Sequence, residues 1–355
     1  VATLEPLADR AEGRRNGTRR YIGRVHDARV HSISIVIPVY RGETTLASLV
    51  REIAPFFERF TTPMGATAVV SELLLVHDDG PDRSDRVMVE LEKEYPAVRA
   101  LWLSRNFGQH AASIAGMASS GGDWVVTMDE DGQHDPRDIS ALLDAALESH
   151  AHVVYARPIN RPPHSALRTL SSRTAKLIMS KLSGPRSIDP KMFNSLRLMS
   201  GEIARSAAAY AGAGVYLDIA LGWITTRATT APATLRTELR ESSGYSYRTL
   251  ASHFWSMVVS SGTRALRVVS ALGALLAASG IAYAVFLLVA RLFGGAFPEG
   301  WTSIVVVTLV SSGAVLISLG VIAEYLGVAV NMAMGKPPYL LLSSRNPGPP
   351  GNSSS

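Results

Sequence analysis

Trp124-Val125-Val126-Thr127-Met128-Asp129-Glu130-Asp131-Gly132-Gln133-His134-Asp135-Pro136 begins as an apolar, partly β-branched run and stops at a cluster of carboxylates. A short apolar run that ends in turn-forming residues reads as a buried strand with polar groups at its carboxyl end. The pattern stands twice more upstream. Ser34-Ile35-Val36-Ile37-Pro38-Val39-Tyr40 ends at a proline and a tyrosine, and Glu72-Leu73-Leu74-Leu75-Val76-His77 runs straight into Asp78-Asp79-Gly80-Pro81. A fourth strand is predicted over 98–103. Between these runs the spacing predicts helices over 45–59, 84–95 and 110–119. Alternating strands and helices imply an α/β fold with a mostly parallel, doubly wound sheet. Ligands of such sheets bind beyond the carboxyl ends of the strands, which is where all three polar clusters fall.

The spacing of Asp129 and Asp131 suits one hard cation. Two carboxylates separated by one residue in a turn can direct oxygens at Mg²⁺ or Mn²⁺, ions that also bridge phosphates. Such an ion would hold a diphosphate and offset charge on a leaving nucleotide. Neither a G-x-G-x-x-G fingerprint nor a G-x-x-x-x-G-K-[ST] loop occurs, so dinucleotide and Walker-type phosphate sites are excluded. The chain has no cysteine, which removes disulfides and thiolate metal sites. Its net charge of +5 over 355 residues is spread out, without a basic stripe interleaved with aromatics, and speaks against nucleic acid as a partner.

Outside the sheet region the composition changes. Residues 1–31 hold seven arginines and few large apolar side chains, which predicts a basic, disordered arm. No signal-peptide core is evident in it, so export by a cleaved signal is not expected. Two uncharged runs, 268–290 and 301–323, are each about the length of a membrane span and predict a two-helix transmembrane hairpin. Arg264 and Arg267 precede the first run, and Lys336 and Arg345 follow the second. By the positive-inside bias both termini and the sheet domain are expected to be cytoplasmic. The expected organisation is an arm over 1–31, a sheet domain over 32–245, a juxtamembrane or interfacial helix over 246–266, two spans over 267–328 and a cytoplasmic tail over 329–355.

Several elements together resemble the family 2 glycosyltransferases, in the branch that holds dolichol-phosphate mannose synthase and bacterial polyprenyl-phosphate glycosyltransferases. They are Ile37-Pro38-Val39-Tyr40 with Glu43; Asp78-Asp79-Gly80; Leu103-Ser104-Arg105-Asn106-Phe107-Gly108; Gly122-Asp123; and Met128 through Pro136. The resemblance runs over about residues 32–342 and implies a GT-A-like, Rossmann-type domain. It assigns nucleotide binding to Pro38, Tyr40, Glu43 and Asp79. Metal and diphosphate binding, and with them catalysis, fall to Asp129, Asp131 and Gln133, with Glu130 contributing through its backbone. Arg157, Arg168, Ser172 and Arg197 would grip the acceptor phosphate, and Ser242 through Ser246 match the loop before the membrane helices. Guanidinium groups suit that task, since they bind phosphate in a bidentate fork.

What the resemblance implies is inverting transfer of a sugar from a nucleotide-sugar, a UDP-hexose or UDP-N-acetylhexosamine, to polyprenyl phosphate at the membrane. The product would be a lipid-linked sugar donor for cell-envelope glycans. Family analogy also allows a homo-oligomer, a tetramer. A GDP-mannose-dependent synthase is the alternative within the branch. A processive polysaccharide synthase would carry a Q-x-x-R-W element, which is absent. A non-catalytic membrane scaffold or a lipid-sugar flippase component are the alternatives from other classes.

Overall fold

In a computed structural model of the chain the described residues are 29–160, 188–212, 215–236, 300–335 and 337–344, with scattered positions between 269 and 293. Among them, nine strands form one sheet in the order β8-β6-β7-β5-β1-β3-β4-β9, with β2 beside β3. The centre is the expected parallel set: β1 (Val30–Val39) lies between β3 (Thr67–His77) and β5 (Trp124–Thr127), and β4 (Val98–Leu103) lies outside β3. Short β2 (Phe60–Thr61) is antiparallel to β3.

The continuous apolar runs of these strands are explained by burial on both faces. Ile35 and Ile37 of β1, with Leu73 and Leu75 of β3, pack in one cluster beneath α1 (Leu46–Ile53), α2 (Ser84–Glu94) and α4 (Asp138–Ser149). Val36, Leu74 and Val76 point the other way, into a cluster with α3 (Gln109–Ala118), α5 (Gly201–Tyr210) and α6 (Leu217–Ile224). Each such fully buried aliphatic side chain contributes about 1.5–3 kcal/mol. The result is three layers with the sheet in the middle.

The sheet is more mixed than the sequence predicts. β7 (Arg197–Ser200) enters between β5 and β6 (Val153–Pro158) and runs antiparallel to both, while β8 (Ala228–Ala233) is parallel to β6. The parallel expectation misses β7 because Arg197-Leu198-Met199 is too short to announce itself as a strand and draws its alternation only from tertiary pairing.

The segment beyond the sheet departs from expectation in two ways. A single helix, α7 (Trp301–Ala333), continues ten residues past the predicted span end at 323. Its window Val310–Gly327 has a mean hydropathy of 1.6, is entirely unburied, and is long and apolar enough to cross a membrane. The first predicted run, 268–290, is described at scattered positions, which include an apolar helix over Gly273–Tyr283. The stretch expected as a tail is corrected: β9 (Leu341–Leu342) pairs antiparallel with Trp102 and Leu103 of β4, and the Ser104 amide donates to the Leu340 carbonyl at 3.0 Å. At the other end, β1 begins at Val30, four residues before the predicted strand, and Arg29 pairs with Asp123 at 2.7 Å. Residues 1–28 and the juxtamembrane segment 246–266 lie outside the described residues.

Candidate active site

Three neighbouring strand ends build the site. β1 pairs with β3 up to Val39 and His77, and with β5 up to Val36 and Thr127, so the loops that follow all leave the sheet at one edge. Backbone hydrogen bonds continue past the strands, Asp78 N–H to the Val39 carbonyl at 2.8 Å and Met128 N–H to the Val36 carbonyl at 3.1 Å. Pro38 is buried within β1, and Tyr40, the first residue beyond it, is 39% exposed.

Asp78-Asp79-Gly80 folds closely over that exit. A Cβ on Gly80 would lie 1.7 Å from the Tyr40 carbonyl oxygen, so no other residue fits without moving the backbone. Asp79 adopts a left-handed conformation at φ 49°, which aspartate tolerates better than most residues, and its side chain is exposed at the rim. Asp78 turns inward and accepts the amides of Phe107 (2.7 Å) and Gly108 (2.9 Å), bringing the Ser104–Gly108 loop against the site. Burial raises the Asp78 pKa to about 6, against the opposing pull of those two amides. Glu43 accepts the Arg83 amide at 3.1 Å while its own amide donates to Asp82 at 3.0 Å, so it staples two loops together.

The carboxylates after β5 have distinct environments. Asp129 accepts from the Gln109 side-chain amide at 2.5 Å and from the Ser195 hydroxyl at 2.6 Å. Asp131 accepts the Gln133 amide at 3.0 Å, closing the turn through Gly132 at φ 74°. Glu130, expected to act through its backbone, uses its side chain: its two carboxylate oxygens accept the amides of Tyr40 (3.1 Å) and Arg41 (2.9 Å). A Cβ on Gly42 would come within 2.8 Å of that carboxylate, so the small residue at 42 makes room for the clasp.

Behind the turn, buried His134 takes the Asp129 amide on Nδ1 at 3.4 Å and bridges to Leu235. Asp135 binds Arg137 (2.6 Å) and Arg236 (2.8 Å), while the Arg236 amide donates to the Gln133 carbonyl at 2.9 Å. Burial tends to raise the Asp135 pKa, but hydrogen bonds from Arg137 and Arg236 prevail and hold it at about 2. Residues 234–236 therefore brace the carboxylate loop from outside.

The donor set fits a hard divalent cation. Asp129 and Asp131 offer only oxygen, and among the described residues no group of three or more His, Cys, Asp or Glu could enclose an ion. Carboxylate oxygens are the ligand type of Mg²⁺, which one or two carboxylates hold together with waters and a phosphate substrate.

The acceptor residues are only partly assembled. Arg157 is exposed near the end of β6, whereas Arg168 and Ser172 lie outside the described residues. Arg197 is a correction. It is 4% exposed and faces the core, with Nε donating to Thr127 Oγ1 at 3.0 Å and Nη1 to the Asp218 carboxylate. A guanidinium enclosed in this way already has its charge paired and cannot reach a lipid phosphate. Tyr155 donates to the same Asp218 at 2.9 Å, and burial followed by that carboxylate pushes its phenol well above its usual range.

The residues missed by sequence reasoning are Gln109, Ser195, Arg236 and the side chains of Asp78 and Glu130. Asp78 and Glu130 sit inside recognised clusters, so their involvement had a signal. Gln109 and Ser195 lie 20 and 66 residues from Asp129, so no local pattern connects them to it.

Comparison with known proteins agrees with this geometry. Residues 34–206 match the model of glycosyl transferase family 2. The undecaprenyl-phosphate 4-deoxy-4-formamido-L-arabinose transferase of Salmonella choleraesuis (strain SC-B67) is 29% identical over 317 residues, covering 88% of this chain and 94% of that protein. An uncharacterized glycosyltransferase, YkcC, of Bacillus subtilis (strain 168) is 28% identical over 312 residues, with 88% and 93% covered. Among solved structures, glucosyl-3-phosphoglycerate synthase from Mycobacterium tuberculosis, in complex with Mn²⁺, UDP-glucose and phosphoglyceric acid, aligns with a TM-score of 0.48 at 15% identity over 66% of this chain and 79% of that one. The match spans all three strand ends and the carboxylate loop, so the likeness to the family 2 glycosyltransferases falls on the residues that build the site.

Proposed function

We propose that the chain transfers a sugar from a nucleotide-sugar to polyprenyl phosphate at a membrane surface, with inversion at the anomeric carbon. The observation that carries the reading is the convergence of Tyr40, Asp79, Asp129 and Asp131 at one edge of the sheet, in a chain that also holds an unburied apolar helix of spanning length. The named activity of the Salmonella relative, which aligns over 88% of this chain, supports the lipid phosphate as acceptor.

In this mechanism a divalent cation, Mg²⁺ or Mn²⁺, bound by Asp129 and Asp131 supplies charge neutralisation at the donor diphosphate. Tyr40 and Asp79 hold the nucleoside, and the Asp78-anchored loop closes one wall. An oxygen of the acceptor phosphate forms the new bond to the anomeric carbon; the bond from that carbon to the diphosphate breaks, and its electron pair leaves with the nucleoside diphosphate. The acceptor oxygen is already anionic at neutral pH, so no side chain has to remove a proton. Positioning and electrostatic stabilisation are the terms the protein supplies. Arg157, with Arg168 and Ser172, is assigned to the acceptor phosphate.

The membrane placement follows from chain lengths. α7 is about 50 Å long at 1.5 Å per residue, more than a hydrocarbon core of about 30 Å. Seven residues, 334–340, separate its end from β9, a reach of at most about 25 Å. This supports a catalytic domain on the same side as the C-terminal end of α7, the side on which Lys336 and Arg345 favour the cytoplasm.

The test is turnover by the purified full-length chain, with undecaprenyl phosphate and a panel of labelled UDP-hexoses, UDP-N-acetylhexosamines, a UDP-linked formamido-arabinose and GDP-mannose. One donor is expected to give a lipid-linked product, and Asp131→Ala is expected to lower that rate at least about 100-fold with folding intact. Transfer by Asp131→Ala at the wild-type rate sinks the site assignment. Nucleotide-sugar binding without transfer to any lipid phosphate sinks the acceptor.

A further inference from the structure

The hydrogen bonds around Asp129 form a directional chain that ends in the protein interior. Asp218 and Arg197 are a buried ion pair, 2% and 4% exposed. Arg197 Nε can only donate, so Thr127 Oγ1 accepts from it at 3.0 Å and must spend its own proton elsewhere. It does so on the Ser195 carbonyl at 2.8 Å. The Ser195 backbone is thus pinned to β5, and its hydroxyl is aimed at Asp129 Oδ2 at 2.6 Å. From the opposite flank Gln109, the first residue of α3, presents its amide to Oδ1 at 2.5 Å.

We infer that Gln109 and Ser195 are positioning residues that clamp the Asp129 carboxylate in the orientation that receives the divalent cation and diphosphate, with the Arg197–Asp218 pair as the clamp's anchor. The inference rests on the proposed role of Asp129. Both donors are neutral, so they fix the carboxylate plane without neutralising it. Each occupies one lone-pair site on one oxygen of a group that offers about four such sites, which leaves acceptor capacity on both oxygens for an ion. The clamp also gives the buried ion pair a reason to exist. Burying two charges is a poor source of stability by itself, but a pair that fixes the rotamer of a hydroxyl beside a working carboxylate serves preorganisation. Residues that orient a metal-binding group typically change metal affinity 10–100-fold when removed.

The experiment measures Mn²⁺ binding to the full-length chain in detergent, from the EPR signal of free Mn²⁺ with saturating UDP and, separately, GDP. The proteins are wild type, Ser195→Ala, Gln109→Ala, Ser195→Thr and Asp129→Ala, each also followed by thermal unfolding. Ser195→Ala and Gln109→Ala are each expected to weaken Mn²⁺ about tenfold without a matching loss of thermal midpoint, and Ser195→Thr, which keeps the hydroxyl, to recover most of the loss. If Asp129→Ala loses the ion while both alanine variants bind it within about twofold of wild type, the clamp is wrong and the metal site stands. Asp129→Ala binding Mn²⁺ like wild type overturns the metal reading and the clamp with it. Weakened binding that tracks loss of thermal stability, or that Ser195→Thr fails to recover, reduces both residues to structural support and overturns the inference.

Discussion

Asp78 ties the donor side of the site to pH. Its carboxylate takes two amides of the Ser104–Gly108 loop, and burial lifts its pKa to about 6. Protonation turns one acceptor oxygen into a donor and leaves one of those amides unsatisfied. Affinity for a nucleotide-sugar is therefore expected to rise between pH 5 and 7 with a midpoint near 6, by about fivefold if one hydrogen bond of about 1 kcal/mol is at stake. A nucleotide-sugar is the right probe because its diphosphate diester does not titrate in that window. Asp78→Asn should flatten the profile; an unchanged profile in that variant would assign the titration to another group. The folding linkage has the opposite sense. Because the folded pKa lies above the unfolded one, the favourable contribution of the neutral form is complete below about pH 4 and disappears as pH rises through about 6. The site thus works best where Asp78 costs stability, the trade expected of a functional carboxyl.

At the scale of elements, β9 is the feature with the clearest consequence. It covers the outer edge of β4, a strand that would otherwise present unpaired amides and carbonyls to solvent. Leu342 packs against the cluster beneath α1, α2 and α4, and Tyr339 against the cluster on the other face, so the return from α7 touches both layers. Leu342→Asp is expected to destabilise the sheet domain by about 1–2 kcal/mol, read as a lowered midpoint in denaturant with an unchanged slope. No shift would mean that β9 rests on the edge without contributing. The Glu130 clasp is the second such device, because it joins the β5 loop to the β1 exit through two amides. Glu130→Ala should weaken nucleotide-sugar binding several-fold while leaving Mn²⁺ binding near wild type, since those amides lie on the nucleoside side. Equal loss of both would show that the two loops move as one unit.

For the whole molecule the decisive relation is between the sheet and α7. The chain contains no cysteine, so a single introduced one is the only thiol to label. With the proposed topology, a cysteine replacing Gly295 is expected to react with an impermeant maleimide on intact cells, and one replacing Gly351 only after permeabilisation. The reverse pattern would put the catalytic domain outside. Neither substitution replaces a residue of the sheet or its clasp network.

How much of this was legible beforehand differs by feature. The central strands were readable because burial on both faces demands unbroken apolar runs, and their ends because acidic and turn residues interrupt those runs abruptly. Asp129 and Asp131 could be picked out for the same reason, by spacing at a strand terminus. The antiparallel β7 and the edge strand β9 were not legible, since four- and two-residue strands take their conformation from partners far away in sequence. Arg197 shows the limit most plainly: as a residue type it suits phosphate, and only its register opposite Thr127 turns it inward to Asp218. By itself, then, the sequence determined the α/β alternation, the strand-end carboxylates and the apolar run of α7, because each is written in local periodicity. The tertiary structure alone decided which neighbours orient Asp129, where Arg197 spends its charge and that the C-terminal segment closes the sheet, because those depend on contacts between residues that no local pattern connects.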